Sequence, residues 1–332
     1  MTSDRGFFVS YFPSMHEPFL QRCLELAQQG RGKTGTNPMV GAVLVRNKKI
    51  IAEGFHEAYG KHHAELQLME KFDQKISSKD TLYVNLEPCC HELKKTPPCA
   101  QMLVKKGLKN IVIGMKDPNP EVSGKGIELL RNNGVNVELC PGMMADCLRL
   151  NRGFVSLMTK GRPWVTIKQA RTAEGETTKP DGSTLKITDA AQDEWSHRML
   201  RARHDAILVG VGTVLKDNPA LTIRSLENPP NLYRIILDPD FKMSPDARVA
   251  CDGTIVVTSR REKAQILESK GVRILEVPVS GGAFDWSEFW QTLAVPEGEY
   301  HGISSILVEA GKRTWDIFTK AKMVDEEVVL RG

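Results

Sequence analysis

A chain of 332 residues with 41% hydrophobic content is long for one domain and carries enough apolar material for two cores. Lys and Arg number 45 against 41 Asp and Glu, a net charge of +4. That balance excludes a bulk polyanion binder and suits an anionic small molecule. The seven Cys are odd in number, and positions 89, 90 and 99 lie close together. This argues against a disulfide scaffold and for metal binding in a reducing compartment. No apolar run approaches a membrane span, and the first residues lack a long apolar core, so the expectation is a soluble cytoplasmic protein with no membrane partner.

Residues 1–15 read as a leader. Residues 17–29 carry Phe19, Leu20, Cys23, Leu24 and Ala27 at helical spacing, and Gly30 and Gly32 end the pattern. A turn at 36–38 runs into a buried strand to Val45, residues 46–49 form a hairpin turn, and 50–54 return as a strand. Residues 64–72 read as a helix with Leu66, Leu68 and Met69 inward and His63 at its start. A strand over 81–86 delivers Glu87-Pro88-Cys89, and Cys99 opens a helix over 100–106. Strands at 111–114 and 135–139 flank a helix at 127–132, an α/β alternation. A short helix between Pro141-Gly142 and Asn151-Arg152-Gly153 leads into a linker over 148–162.

A second α/β run then begins. Its expected strands are 164–168, 205–210, 234–237, 254–258 and 303–308, and its helices 189–203, 262–270 and 284–293. The division is therefore a leader at 1–15, a first domain at 16–147, the linker, and a second domain at 163–332. No tandem repeat interrupts it.

The chemistry concentrates between His63 and Cys99. His63-Ala64-Glu65 and Pro88-Cys89 combine one imidazole, a carboxylate two residues on, and thiols at a strand end and a helix start. Such a set binds one catalytic zinc through His63, Cys89 and Cys99 and leaves a fourth position for water. Zinc lowers the pKa of that water, and Glu65, which is not a ligand, shuttles protons. This H-x-E and P-C pairing marks zinc-dependent base deaminases. A closed structural zinc is the competing reading, but it has no use for Glu65. Cys90 and His91 are alternative ligands, and Glu87 is an acid near the site or a solvated charge. In the second half, Gly210-Val211-Gly212-Thr213 follows a strand. It fails the dinucleotide fingerprint because Leu215 stands at the third glycine, so spacing alone favours a plain turn.

The order of these residues resembles the bifunctional riboflavin-biosynthesis deaminase/reductase family over nearly the whole chain. The carriers are Asn37-Pro38-Met39-Val40-Gly41, His63-Ala64-Glu65, Leu86-Glu87-Pro88-Cys89, Thr96-Pro97-Pro98-Cys99 and Asp117-Pro118-Asn119-Pro120. In the second half they are Asp205-Ala206-Ile207-Leu208-Val209-Gly210, Asp217-Asn218-Pro219 and Val308-Glu309-Ala310-Gly311. The resemblance implies a cytidine-deaminase-like three-layer α/β/α domain followed by a dihydrofolate-reductase-like α/β domain. It implies zinc on His63, Cys89 and Cys99, Glu65 as proton shuttle, and Asn37 on the pyrimidine. It implies NADPH at Ala170, Lys186, Thr213, Asp217 and Gly311, and substrate at Thr184 or Ser183, Arg201, Leu221, Arg224 and Glu309. The implied substrate is a phosphorylated pyrimidine, deaminated and then reduced at its ribosyl chain, with no nucleic-acid partner and with homo-oligomers formed through the reductase domain. A deaminase with an inactive reductase half and a nucleic-acid base deaminase are the alternatives.

The sequence departs from the family pattern in places. Nine residues separate Cys89 from Cys99 where the family has eight, and Cys90 replaces a serine, which leaves Cys89 and Cys90 both open as ligand. Thr172-Ala173-Glu174-Gly175 replaces Ser-Leu-Asp-Gly, and Lys186 stands where the family has tryptophan. The family continues beyond the strand at 328–332, so an unpaired sheet edge is expected there.

Overall fold

The computed structural model describes residues 14–90, 98–177, 185–224, 226–261, 264–309 and 311–332. They form two compact units. The first holds the chain up to Gly30, Met39–Glu57 and Lys61–Asn151; the second holds Arg31–Pro38, Ala58–Gly60 and Arg152–Gly332. Two short pieces of the N-terminal half thus pack with the second unit, which linear reading of the chain does not anticipate.

The first unit comprises α1 (Glu17–Ala27), β1 (Gly41–Arg46), β2 (Lys49–Phe55), α2 (Ala64–Lys71), β3 (Thr81–Val84), α3 (Cys99–Lys105), β4 (Asn110–Ile113), α4 (Lys125–Asn132), β5 (Asn136–Leu139) and α5 (Pro141–Leu150). Its sheet runs β2-β1-β3-β4-β5. β1 is antiparallel to β2 and β3, while β3, β4 and β5 are parallel. Asn47 and Lys48 turn the β1–β2 hairpin with φ of 51° and 61°, the left-handed pair such a tight turn requires. Parallel neighbours need crossovers, and α3 and α4 supply them.

Two glycines reveal the layering. A Cβ on Gly41 would lie 2.1 Å from the Cys23 carbonyl of α1, and one on Gly54 would lie 2.6 Å from the Ala64 carbonyl of α2. Gly54 pairs with Ala42, the neighbour of Gly41, so the two glycines face opposite sides of the sheet. α1 and α2 therefore cover opposite faces. α5 packs with α1, and α3 packs with both α2 and α4. The three layers of the expected fold are present.

The second unit comprises α6 (Arg152–Lys160), β6 (Trp164–Arg171), α7 (Ala190–Trp195), β7 (Ala206–Gly210), α8 (Val211–Asp217), β8 (Tyr233–Leu237), β9 (Thr254–Thr258), α9 (Ala264–Glu268), β10 (Arg273–Glu276), β11 (Val279–Ser280), β12 (Ala283–Phe284), α10 (Trp286–Ala294), β13 (Ser305–Glu309), α11 (Lys312–Lys320) and β14 (Glu326–Arg331). Seven strands form one sheet in the order β10-β9-β8-β7-β13-β6-β14, and β11 and β12 form a separate ribbon. Every pair in the large sheet is parallel.

A parallel sheet is covered on both faces, so its strands read as continuous apolar runs. All five residues of β9 are buried. Leu208, Ile235, Val257 and Val308 point into one core with Phe289 and Trp290 of α10 and Phe318 of α11. Ile207, Val209, Ile236 and Val256 point into the other with Val214 of α8 and Leu267 of α9. From β7 the chain steps outward through β8, β9 and β10, whereas β13, β6 and β14 lie on the other side. The carboxyl ends of β7 and β13 border this reversal, the place where open α/β sheets bind ligands.

Several expectations are corrected. The stretch 148–162, expected as linker, contains the end of α5 and all of α6, which packs on β6. The helix expected over 189–203 is α-helical only to Trp195. It then widens into a π turn at Ser196–Leu200 and tightens into a 3-10 turn at Arg201–Arg203. The plain turn expected at Gly210–Thr213 is a direct strand-to-helix junction, with α8 beginning at Val211. β10 to β12 and α11 were not anticipated from the sequence pattern. β14 lies at one edge of the large sheet. Residues 1–13 of the leader fall outside the described residues.

Candidate active sites

In the first unit, β3 and the stretch after it aim the chain at the N-termini of α2 and α3. His63 is the N-cap of α2 and Cys99 the first residue of α3. Cys89 enters from the β3 side, where its carbonyl accepts the Ala100 N–H at 3.1 Å. The Cys99 N–H points at Cys89 Sγ, 3.4 Å away. His63 Nδ1 lies 3.5 Å from Cys89 Sγ and 3.4 Å from Cys99 Sγ. These three donor atoms lie within 4.8 Å of one another, and they are the one such cluster among the described residues.

The donor set fits zinc. An imidazole nitrogen and two thiols converge with their helix N-termini behind them, and that environment favours thiolate. Hydrogen bonds from Cys99 and His63 pull the Cys89 thiol well below its ordinary value, while Cys89 and burial push Cys99 up. Cys90 lies outside the cluster, half-buried, with its thiol raised by burial and by Glu87. His91 falls outside the described residues. His62 is exposed and pairs with Glu70 at 2.8 Å.

Glu65 sits one step into α2 and is 3% exposed. Burial raises its pKa, and His63 opposes that shift. Glu87 is not the solvated charge that a strand-end position suggests. It is buried, with Oε2 accepting the N–H groups of Asp117 and Gly124 and Oε1 that of Ile127. Its carboxylate ties the end of β3 to the Asp117–Gly126 loop. Asn85 and Asn151, which the sequence pattern did not single out, both donate to the Met39 carbonyl, at 3.1 and 3.0 Å. Asn37, expected on the pyrimidine, belongs to the second unit and is half-buried.

In the second unit, Arg201 and Glu309 meet in a bidentate pair at 2.7 and 2.9 Å. Arg201 also donates to the Thr222 carbonyl at 2.8 Å. Burial would raise the Glu309 pKa, but Arg201 overcomes it and brings the carboxyl to about 2. Leu221 is buried at φ 50°, and Arg224 lines an open cavity of about 340 Å3 with Ala190, Asp193, Glu194, His197 and Arg198. His197 was not anticipated; its only sequence signal is its place four residues before Arg201.

Thr213 stands in the first turn of α8, and the exposed Asp217 ends that helix. Gly311 is the N-cap of α11. A Cβ on Gly212 or Gly311 would meet nothing within 4 Å, so both backbones border open space at helix N-termini. That is a setting in which N–H groups receive the phosphates of a dinucleotide, and it fits NADPH. Ala170 is in β6 and Lys186 is exposed. Glu174 is exposed in the turn after β6. Thr184 falls outside the described residues.

A three-layer unit with a His/Cys/Cys centre beside a buried Glu, joined to a parallel-sheet unit with a dinucleotide setting, defines a zinc deaminase coupled to a reductase. The family model for the cytidine and deoxycytidylate deaminase zinc-binding region matches residues 13–115, and the model for the RibD C-terminal domain matches 163–331. The riboflavin biosynthesis protein RibD of Aquifex aeolicus is 38% identical over 316 residues, covering 94% of this chain and 85% of that protein. RibD of Escherichia coli is 34% identical over 325 residues, covering 94% and 86%. The solved structure of Acinetobacter baumannii RibD superposes with a TM-score of 0.81 at 32% identity, covering 96% of this chain and 86% of that one. The Thermotoga maritima deaminase/reductase gives 0.77 at 37% identity, covering 92% and 84%.

The chain belongs to the riboflavin biosynthesis protein RibD family. It is a bifunctional enzyme of riboflavin biosynthesis, with a zinc-dependent deaminase half and an NADPH-dependent reductase half.

Proposed function

We propose that the first unit removes the exocyclic amine of a diaminohydroxyphosphoribosylaminopyrimidine, and that the second reduces the ribosyl chain of the product to ribityl. The observation that carries this reading is the convergence of His63 Nδ1, Cys89 Sγ and Cys99 Sγ next to the buried Glu65. His63, Cys89 and Cys99 would hold zinc, which supplies a Lewis acid and water activated near neutral pH. Glu65 takes a proton from water and gives it to the ring nitrogen; it then takes the proton of the added hydroxyl and gives it to the departing amine. Its burial makes it a stronger base than an exposed carboxylate, which suits both transfers. Asn37 is assigned to the pyrimidine.

In the second unit, NADPH supplies the hydride. Thr213, Asp217, Gly311, Ala170 and Lys186 are assigned to that cofactor, and Thr184, Arg201, Leu221, Arg224 and Glu309 to the substrate. Glu309 holds Arg201 in a fixed fork, so a positioned guanidinium is ready for a phosphorylated ligand. None of the seven cysteines is in a disulfide, which accords with a reducing, cytoplasmic location. Among the described residues no helix is long and apolar enough to cross a membrane.

The purified chain is given the diaminopyrimidine with and without NADPH, and ammonia and cofactor absorbance are followed. Ammonia is expected in both mixtures and NADPH oxidation in the complete one; ammonia without oxidation would remove the reductase assignment. Glu65→Gln is expected to retain zinc while ammonia release falls by about a thousandfold. Near-normal turnover by that variant would overturn the role of Glu65.

A further inference from the structure

The cavity of the second unit holds an imidazole that none of the assigned roles uses. His197 is 5% exposed. Both of its ring nitrogens face Arg224. Nδ1 accepts the Arg224 backbone N–H at 3.1 Å, and Nε2 lies 3.2 Å from Arg224 Nη2.

The peptide plane fixes the direction of that backbone N–H, so Nδ1 must present its lone pair. A neutral imidazole then carries its single proton on Nε2. The guanidinium has donors only. Nε2–H and Nη2–H therefore cannot bond to each other, although the wall of the cavity brings them together. An anionic oxygen accepting from both would satisfy the pair.

Two acidic side chains that line the cavity are engaged elsewhere among the described residues. Asp193 accepts from Thr188 Oγ1 at 2.7 Å, and Glu194 pairs with Arg198 at 2.9 Å. Burial, with Arg201 and Arg224 nearby, lowers the His197 pKa, while Glu309 and Asp193 act the other way. The neutral ring keeps the lone pair that seats Arg224.

We propose that His197 Nε2–H and the Arg224 guanidinium form a paired donor for a phosphate oxygen of the reductase substrate, which makes His197 a binding residue of that site. The inference rests on the reading of the second unit as a reductase of a phosphorylated pyrimidine.

The test uses the full chain with His197→Asn, whose amide oxygen replaces the Nδ1 acceptor while the Nε2 donor is lost. NADPH oxidation is measured with the deaminated phosphorylated substrate and with its dephosphorylated form. KM for the phosphorylated substrate is expected to rise about tenfold, the effect of one hydrogen bond to a charged acceptor. The turnover number and the KM for NADPH should stay within about twofold of wild type on the same ground. The dephosphorylated substrate should react with wild type and variant alike, and ammonia release by the first unit should be unchanged. An unchanged KM, or equal losses with both substrates, overturns the inference. If His197→Asn melts early, His197→Gln is scored instead: its amide N–H stands near the Nε2 position, so a KM close to wild type supports the paired donor and a full loss overturns it. Wild-type enzyme that fails to oxidise NADPH with the phosphorylated substrate would overturn the reductase reading itself.

Discussion

Two buried carboxylates of the first unit show how partners decide a residue's role. Glu87 accepts three backbone N–H groups, so its oxygens are committed to holding a loop. Glu65 is buried beside the His/Cys/Cys cluster, where burial favours its protonated form. Glu87→Gln turns one acceptor into a donor facing N–H groups. It should destabilise the chain by about 3 kcal/mol, because buried donors lose a charged acceptor. The expected readout is a lower urea midpoint with an unchanged slope.

Glu309 gives a pH prediction with a definite sign. Its folded pKa of about 2 lies below the ordinary 4.5, so the unfolded chain binds the proton more readily. The stability it confers is therefore complete above about pH 4.5 and is lost as pH falls towards about 2. The size is about 3 kcal/mol. Glu309→Gln should lower stability near neutrality by that order and flatten the decline across this window, as followed by unfolding at pH 7 and pH 3.

At the scale of elements, the position of His63, a proposed zinc ligand, depends on how closely α2 sits on the sheet. Gly54 permits that approach, since a Cβ there would lie 2.6 Å from the Ala64 carbonyl and 2.7 Å from the Leu68 nitrogen. α2 begins just after His63 and carries Glu65. Gly54→Ala should therefore cost about 1–3 kcal/mol by overpacking. It should also weaken zinc binding by at least about tenfold, since small displacements of ligand geometry are expensive. Metal content after dialysis against a calibrated chelator would show it; full zinc occupancy would mean α2 can shift without moving His63. The π turn at Ser196–Leu200 has a similar place in the second unit: it carries His197 and leads directly into the 3-10 turn that carries Arg201. Such widened turns recur at functional sites because they re-aim side chains within one helix.

At the scale of the whole molecule, each unit has its own sheet, and the three residues of the metal cluster all lie in the first. Zinc removal should therefore stop ammonia release while NADPH oxidation on already deaminated substrate stays within about twofold, since no ligand of the metal cluster belongs to the second unit. Measuring both rates after chelation and after zinc is restored checks this. Loss of both activities would show that the reductase depends on the metal.

The sequence by itself determined the local order: which runs are strands or helices, and that His63, Glu65, Cys99 and one of Cys89 and Cys90 are candidates for one centre. Period and punctuation are properties of neighbouring residues, and the H-x-E spacing lies within one helical turn. Only the tertiary structure decided between Cys89 and Cys90 for a place in the three-donor cluster, because their side chains leave an extended segment in different directions. It alone revealed Glu87 as a clamp, since its three donors lie 30 to 40 residues away. It also turned residues expected as linker into α6, and brought His197 against Arg224 across 27 positions. The physical reason is the same each time. Periodicity records which face of an element is apolar, whereas the partner of a buried polar group is set by which distant segment the packed sheet brings beside it.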